Sequence, residues 1–339
     1  MDGPLPTRSD RELGGAPEGL DALIVAERIK AGGGVGLFVA RDFQRSGSFV
    51  QAFQFFSKDI EVLDYPAWDC LPYDRLSPTA GIAAQRMATL TRLAMRKPGD
   101  APVLVVTTVS AAMQRTPPKS VTTQAGFETK VGRDLDIQAL ERYFAANGYV
   151  RASTVSERGE FAVRGGILDV FVPGTEEPVR LDFFGDTLET IRTFDPASQR
   201  TTGQARSLDL NPMSEVTLTP DTISRFRKNY LSLFGASTRD DALYAAVSEG
   251  RRYAGMEHWL PMFYDRLDTV FDYLKGFRLV TDHTVREAAE ERSKLIRDYY
   301  EARLNSATPG KGHLAQGTPY KPVPPEHLYL GAAEFGRGL

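Results

Sequence analysis

Two stretches of the chain carry residues whose types and spacing could do chemistry. The first is Gly14-Gly15-Ala16-Pro17-Glu18-Gly19-Leu20-Asp21, which has the G-x-x-x-x-G spacing of a phosphate-binding loop just before a helical pattern. A working loop continues with Lys, which neutralises the terminal phosphates, and Ser or Thr, which holds Mg²⁺. Here those positions are Leu20 and Asp21, with Glu18 alongside. Two carboxylates beside a polyanion repel it. Gly14, Gly19, Leu20 and Asp21 therefore read as a degenerate, non-functional phosphate loop or as an ordinary loop. Both readings predict no ATP binding here. With 30 glycines in the chain, about three such pairs arise by chance, so the spacing alone identifies nothing.

The second stretch is ERGEFAVRGGILDVFVPGTEEPVRLDFFGD, residues 157–186. Two apolar runs flank a Pro-Gly turn, which predicts a β-hairpin paired around residues 172–178. Strand alternation places Val179, Leu181 and Phe183 on one face and Arg180, Asp182 and Phe184 on the other. In the preceding run Phe161 and Val163 share a face, Arg164 points away beside Ala162, and Gly165-Gly166 permits a bulge. Arg164 and Arg180 then share a surface with an exposed aromatic ring, a composition typical of binding hot spots. The competing reading is an ion pair of Arg180 with Asp182 or Glu160, and a Phe184 covered by a helix.

Other chemistry is absent from the pattern. There is no G-x-S-x-G or H-E-x-x-H signature, and Glu176-Glu177 and Glu290-Glu291 read as solvated surface. His258, His283, His313 and His327 lack metal-ligand spacing and read as surface or hydrogen-bonded residues. The single cysteine, Cys70, excludes a disulfide framework and fits a reducing cytosol. The polar N-terminal residues resemble no signal peptide, and no run of 18 apolar residues predicts a membrane span. No metal or cofactor is expected, and a cytoplasmic location is. Lys and Arg number 41 against 44 Asp and Glu, a net charge of −3, which argues against a dedicated nucleic-acid binder. Residues 89–99 and 223–235 mix basic with apolar side chains but read as solvated helix faces.

The elements that must position these residues follow from periodicity. From Gly19 to Thr116, helical patterns (20–34, 49–56, and 78–96 with Ser77 as N-cap and Pro78 at the first helical position) alternate with apolar runs at 35–40, 60–66 and 103–110. That alternation predicts an α/β unit on a parallel sheet with right-handed crossovers. A turn-rich boundary at 115–126 precedes a helix over 135–149, with Ile137, Leu140 and Phe144 in line, and then antiparallel β-structure to about Asn211. Helices dominate from Thr219 to about Leu304, including a long charged one from Thr284. The Pro/Gly-rich remainder, 306–339, reads as an extended connection to a longer protein.

Four stretches, LPYDRLSPTAGIAAQRMATL, GEFAVRGGILDVFVPG, PVRLDFFGDTLETIRTFDPASQRT and AGMEHWLPMF, together resemble the N-terminal part of the bacterial transcription-repair coupling factors (Mfd). The resemblance runs from about residue 10 to 330. It implies a module similar to the excision-repair protein UvrB: domain 1A at 1–120, a degenerate helicase-like nucleotide-binding unit; domain 2 at 121–214, a small inserted α+β domain; domain 1B at 215–305, helical and packed back on 1A; and a linker at 306–339. It implies a non-catalytic domain 2 that recruits UvrA through Arg164, Arg180, Asp182 and Phe184, linking removal of stalled RNA polymerase to nucleotide excision repair. Masking by a C-terminal domain, and contacts to RNA polymerase and DNA, are implied for parts of the parent outside this chain, as is an ATP-driven motor. The alternatives are a nucleotidase with an unrecognised loop, or a UvrB-like module acting directly on DNA, although no tyrosine-rich insertion lies between Tyr65 and Thr79.

Overall fold

Three apolar runs become strands β1 (Val35–Ala40), β2 (Glu61–Tyr65) and β3 (Val103–Thr108), and every residue of β1 and β3 is buried. Burial on both faces is what a continuous apolar run predicts for a parallel strand covered by helices above and below. The structure is a computed structural model and describes residues 17, 19–235, 241–307 and 320–339. The sheet is wholly parallel, in the order β12-β1-β3-β2, where β12 is Arg278–Thr281. Val35, Leu37 and Val39 point into one core with helix Ala80–Ala94, while Phe38 and Ala40 join helices Leu20–Gly32 and Phe43–Phe56 on the other face.

An antiparallel unit is spliced in after β3. Its six-stranded sheet runs β10-β9-β8-β7-β6-β5: β5 (Val150–Arg151), β6 (Glu160–Arg164), β7 (Ile167–Val170), β8 (Val179–Phe184), β9 (Thr187–Phe194) and β10 (Thr201–Ala205). A two-stranded ladder, β4 (Phe127–Lys130) with β11 (Ser207–Leu210), closes its entry and exit. Helix Ile137–Ala146 starts where the Asp136 carboxylate accepts the Gln138 N–H at 2.8 Å. It ends at Asn147, followed by left-handed Gly148. Its Leu140 and Phe144 pack on Phe161, Leu168, Leu181 and Ile191, the inner face of the sheet.

Several expectations are corrected. The N-cap position of helix Ala80–Ala94 is Thr79, not Ser77, and its side chain does not cap the helix; the Thr79 N–H and hydroxyl both donate to Asp69, while the Ser77 hydroxyl donates to Glu257 at 2.6 Å. The turn-rich boundary contains a helix, Lys119–Ala125, and helix Phe43–Phe56 starts six residues before the predicted 49. The segment read as dominated by helices also supplies β12, which pairs with β1 and completes the parallel sheet. Residues 320–339 are no extended connection. They form helices Pro325–Leu328 and Ala332–Gly338, and bury Val323, Leu328, Tyr329, Leu330 and Phe335.

His258 is not a surface residue, and its Nε2 lies 3.9 Å from the Cys70 Sγ. It is enclosed in the aromatic core of the helical part, edge-on to Trp68 at 5.4 Å, and its Nδ1 has no partner. Burial pushes its imidazole down from 6.5 to about 4. The unfolded chain thus takes up a proton near pH 6.5 that the folded chain refuses until about pH 4. The stability tied to this neutral ring is fully present above pH 6.5 and is lost as pH falls through that window. Chemical denaturation at a series of pH values is expected to show a shallower acid slope for His258→Gln than for the wild type, and equal slopes would refute the assignment.

Candidate partner-binding surface

The outward face of the six-stranded sheet is assembled by two tight turns and one register. Gly165-Gly166 makes the β6–β7 hairpin turn, closed by Arg164 opposite Ile167, rather than the predicted bulge. Gly165 has φ +61°, and a Cβ on Gly166 would sit 2.9 Å from the Phe183 carbonyl oxygen, so neither position tolerates a side chain cheaply. The β7–β8 hairpin forms as predicted, with Asp169 opposite Arg180 and Ile167 opposite Asp182. On β9, Arg192 lies opposite Arg180 and Thr190 opposite Asp182. The extra residue of the β8–β9 bulge, Glu189, falls on β9, so the alternation of β8 survives to its end.

Two cross-strand rows result, because directly paired residues share a face. One row reads Ala162, Asp169, Arg180, Arg192; the next reads Arg164, Ile167, Asp182, Thr190. Phe184 continues that face beyond Asp182, and its ring is 77% exposed. The four residues singled out by alternation, Arg164, Arg180, Asp182 and Phe184, therefore lie on one face. No helix covers Phe184, and Val179 and Leu181 are buried on the opposite side.

The charges are arranged differently from either simple reading. Arg180 is held by Asp169 through a two-pronged contact, Nε to Oδ1 at 2.7 Å and Nη2 to Oδ2 at 2.8 Å, with its guanidinium 4.8 Å over the Phe194 ring. The Asp169 hydrogen bonds raise the Arg180 pKa further, although burial opposes this. Asp182 accepts from Arg192 Nε at 3.0 Å and Nη2 at 2.9 Å and from the Thr190 hydroxyl. Glu160 turns instead to the backbone N–H groups of Ser156 and Glu157. Arg164 is exposed and donates to the Ser153 carbonyl. Asp169 and Arg192 escaped the sequence reading. The available signal was an acid inside the apolar run Ile167-Leu168-Asp169-Val170, a position that burial makes costly unless a cation sits opposite.

The presumed phosphate loop is not where its spacing placed it. Gly14 lies outside the described residues, and Gly19, Leu20 and Asp21 open a helix that precedes β1. A phosphate loop instead connects a strand to the helix that follows it. That junction here is Ala40–Phe43, at the C-terminal end of β1, where the order β12-β1-β3-β2 also places the topological switch point. It contains no glycine. Asp42 caps helix Phe43–Phe56, accepting the Arg45 N–H at 2.8 Å, so a carboxylate occupies the end where a phosphate would bind. The nearby cations are committed: Arg41 to Asp282 at 2.8 Å, and Arg45 to Asp21 and Asp282. The site is filled by its own side chains.

Among the described residues, no group of three or more His, Cys, Asp or Glu could hold a metal ion, and no helix is long and apolar enough to cross a membrane. Several cations of the basic stretches considered for DNA are engaged internally. Arg92 pairs with Glu61 at 3.0 Å, Arg96 donates to the Ala101 carbonyl at 2.8 Å, and Arg225 pairs with Asp265 at 2.7 Å.

Comparison with known proteins places these features in a family. Residues 127–216, which enclose the antiparallel unit, match the UvrB interaction domain. The chain is 32% identical to the transcription-repair-coupling factor of Haemophilus influenzae over 330 residues, which is 96% of the chain and 27% of that protein. It is 32% identical to that of Escherichia coli over 290 residues, covering 85% and 25%, and 31% identical to that of Rickettsia bellii over 280 residues, covering 83% and 24%. The chain thus spans about a quarter of the length of the curated relatives it matches. Matches of this length, around a sheet built as described, show that the chain is similar to the N-terminal module of the transcription-repair-coupling factors and contains a match to the UvrB interaction domain.

Proposed function

We propose that this chain is the non-catalytic module through which a transcription-repair-coupling factor recruits UvrA, joining removal of stalled RNA polymerase to nucleotide excision repair. The observation that carries this reading is the outward face of the antiparallel sheet, which lies within the matched UvrB interaction domain and gathers Arg164, Arg180, Asp182 and Phe184. Arg164 and Arg180 supply charge-assisted donors to the partner. Phe184 supplies apolar area that becomes buried on docking. Asp182, already clamped by Arg192 and Thr190, sets the orientation of approach. The self-filled junction at Asp42 and Arg45 favours recognition over nucleotide chemistry. Domains 1A, 2 and 1B, with boundaries near residues 120 and 214, are the organisation this reading adopts. RNA polymerase, DNA and the ATP-driven motor belong to other parts of the parent, and masking of this surface by the parent's C-terminal domain is part of the same proposal, as is a cytoplasmic setting.

Calorimetric titration of UvrA into the chain tests the reading. Arg180→Ala is expected to weaken binding by about 1–3 kcal/mol, because it removes the guanidinium and leaves the Asp169 carboxylate without its cation. Unchanged affinity in a folded variant would remove Arg180 from the interface.

A further inference from the structure

Asp169 stands out on this face because its environment gives it no other role. Its side chain is 2% exposed, so it does not meet a partner directly. Around it lie Ala162 and Phe194, a small apolar cluster on the outer side of the sheet. Both its oxygens are spent on Arg180, whose Nε and Nη2 they hold in plane. That geometry fixes the torsions of a long side chain that otherwise has about 2 kcal/mol of rotamer entropy to lose on docking. It also leaves Nη1, which makes no hydrogen bond among the described residues, as the nitrogen free for a partner. The neighbouring pair repeats the device, with Arg192 Nε and Nη2 on Asp182.

Resting on the UvrA reading above, we propose that Asp169 is a positioning residue of the docking surface: it presets the Arg180 guanidinium so that its remaining nitrogen meets a carboxylate or carbonyl oxygen of the partner. The partner element facing Arg180 is accordingly acceptor-rich, since a cation there would meet the Arg164, Arg180 and Arg192 side chains with both nearby carboxylates already engaged. Asp169 contributes through Arg180 and through nothing else on the surface.

The experiment is a double-substitution cycle on the full chain, titrated with purified UvrA. Asp169→Asn is expected to weaken binding about tenfold in the wild-type background and not at all in the Arg180→Ala background. Arg164→Ala is expected to weaken binding by the same factor with or without Asp169→Asn; a residue that merely held the sheet together would blunt the Arg164 contribution as well. Arg180→Lys keeps the charge and cannot make the fork, and is expected to bind as poorly as Arg180→Ala. It serves as the independent variant if Asp169→Asn does not fold. Wild-type affinity in Arg180→Lys, a persistent Asp169 effect in the Arg180→Ala background, or a collapsed Arg164 factor would each overturn the inference. A wild-type chain that does not bind UvrA would overturn the functional reading beneath it, a result distinct from all three.

Discussion

Glu215→Ala is expected to destabilise the chain by about 3–5 kcal/mol, among the largest effects of any single substitution. Glu215 leaves the antiparallel unit at the end of the matched domain, and its carboxylate is 3% exposed. Opposite it sits Arg86, fully buried on helix Ala80–Ala94. The two meet at 2.9 Å and 3.1 Å, and Trp68 Nε1 donates to the same carboxylate at 2.7 Å. Arg86 also donates to the Pro66 carbonyl at 2.7 Å and lies 4.3 Å over the Tyr65 ring. Deleting the carboxylate leaves a guanidinium with no counter-charge in a place water does not reach, and the desolvation cost of that cation dominates the loss. The converse also follows. Replacing both partners together, as Arg86→Met with Glu215→Leu, is expected to recover most of the stability, since a buried pair gains little over well-packed apolar residues. Urea denaturation followed by tryptophan fluorescence reads this directly, because Trp68 is part of the network. A Glu215→Ala midpoint close to the wild type would show that the pair is solvated and that the interpretation is wrong.

The parts of this molecule that were legible in the sequence are those whose signal is local. β1 and β3 could be read because short, nearly continuous apolar runs, VGLFVA and VLVV, have nowhere to go except a sheet covered on both sides. The outward face of β8 could be read because alternation survives wherever one side is buried. What failed was non-local. The partner of Arg180 depended on the register across an eight-residue connection between β7 and β8, and a register is not written in either strand alone. β12 is four residues long and half exposed, too short and too polar to announce itself, and its pairing with β1 spans most of the chain. The phosphate locus was misplaced for a related reason. Glycine spacing near Gly14 and Gly19 carried no topological information, whereas the strand-to-helix junction after β1, Ala40–Phe43, contains no glycine to mark it.

Phe335→Ala is the second substitution expected to cost about 3–5 kcal/mol, and it tests the largest correction to the sequence reading. The stretch KPVPPEHLYLGAAEFGRGL looked like a connection because it opens on three prolines, follows a Pro/Gly-rich run and offers only short, scattered apolar groups. Those residues find partners far away in the chain. The Leu330 N–H donates to the Met113 carbonyl at 2.7 Å, and the Arg115 N–H to the Leu328 carbonyl at 2.9 Å, so the segment runs alongside the end of the parallel unit. Arg115 also clamps Glu334 at 2.9 Å. Helix Ala332–Gly338 then drops Phe335, 1% exposed, into the core shared by the sheet and helix Val285–Ala307, with its ring 6.1 Å from Phe271. A linker tolerates phenylalanine-to-alanine changes without thermodynamic consequence, whereas a core position loses the transfer free energy of the ring and gains a cavity. Calorimetric melting separates the two: the core position predicts a clear fall in Tm, and an unchanged melt would return residues 320–339 to the status of a tail. Leu330→Ala, beside the same backbone contacts, is expected to move the melt in the same direction by about 2–5 kcal/mol, which ties the effect to the segment as a whole rather than to one ring.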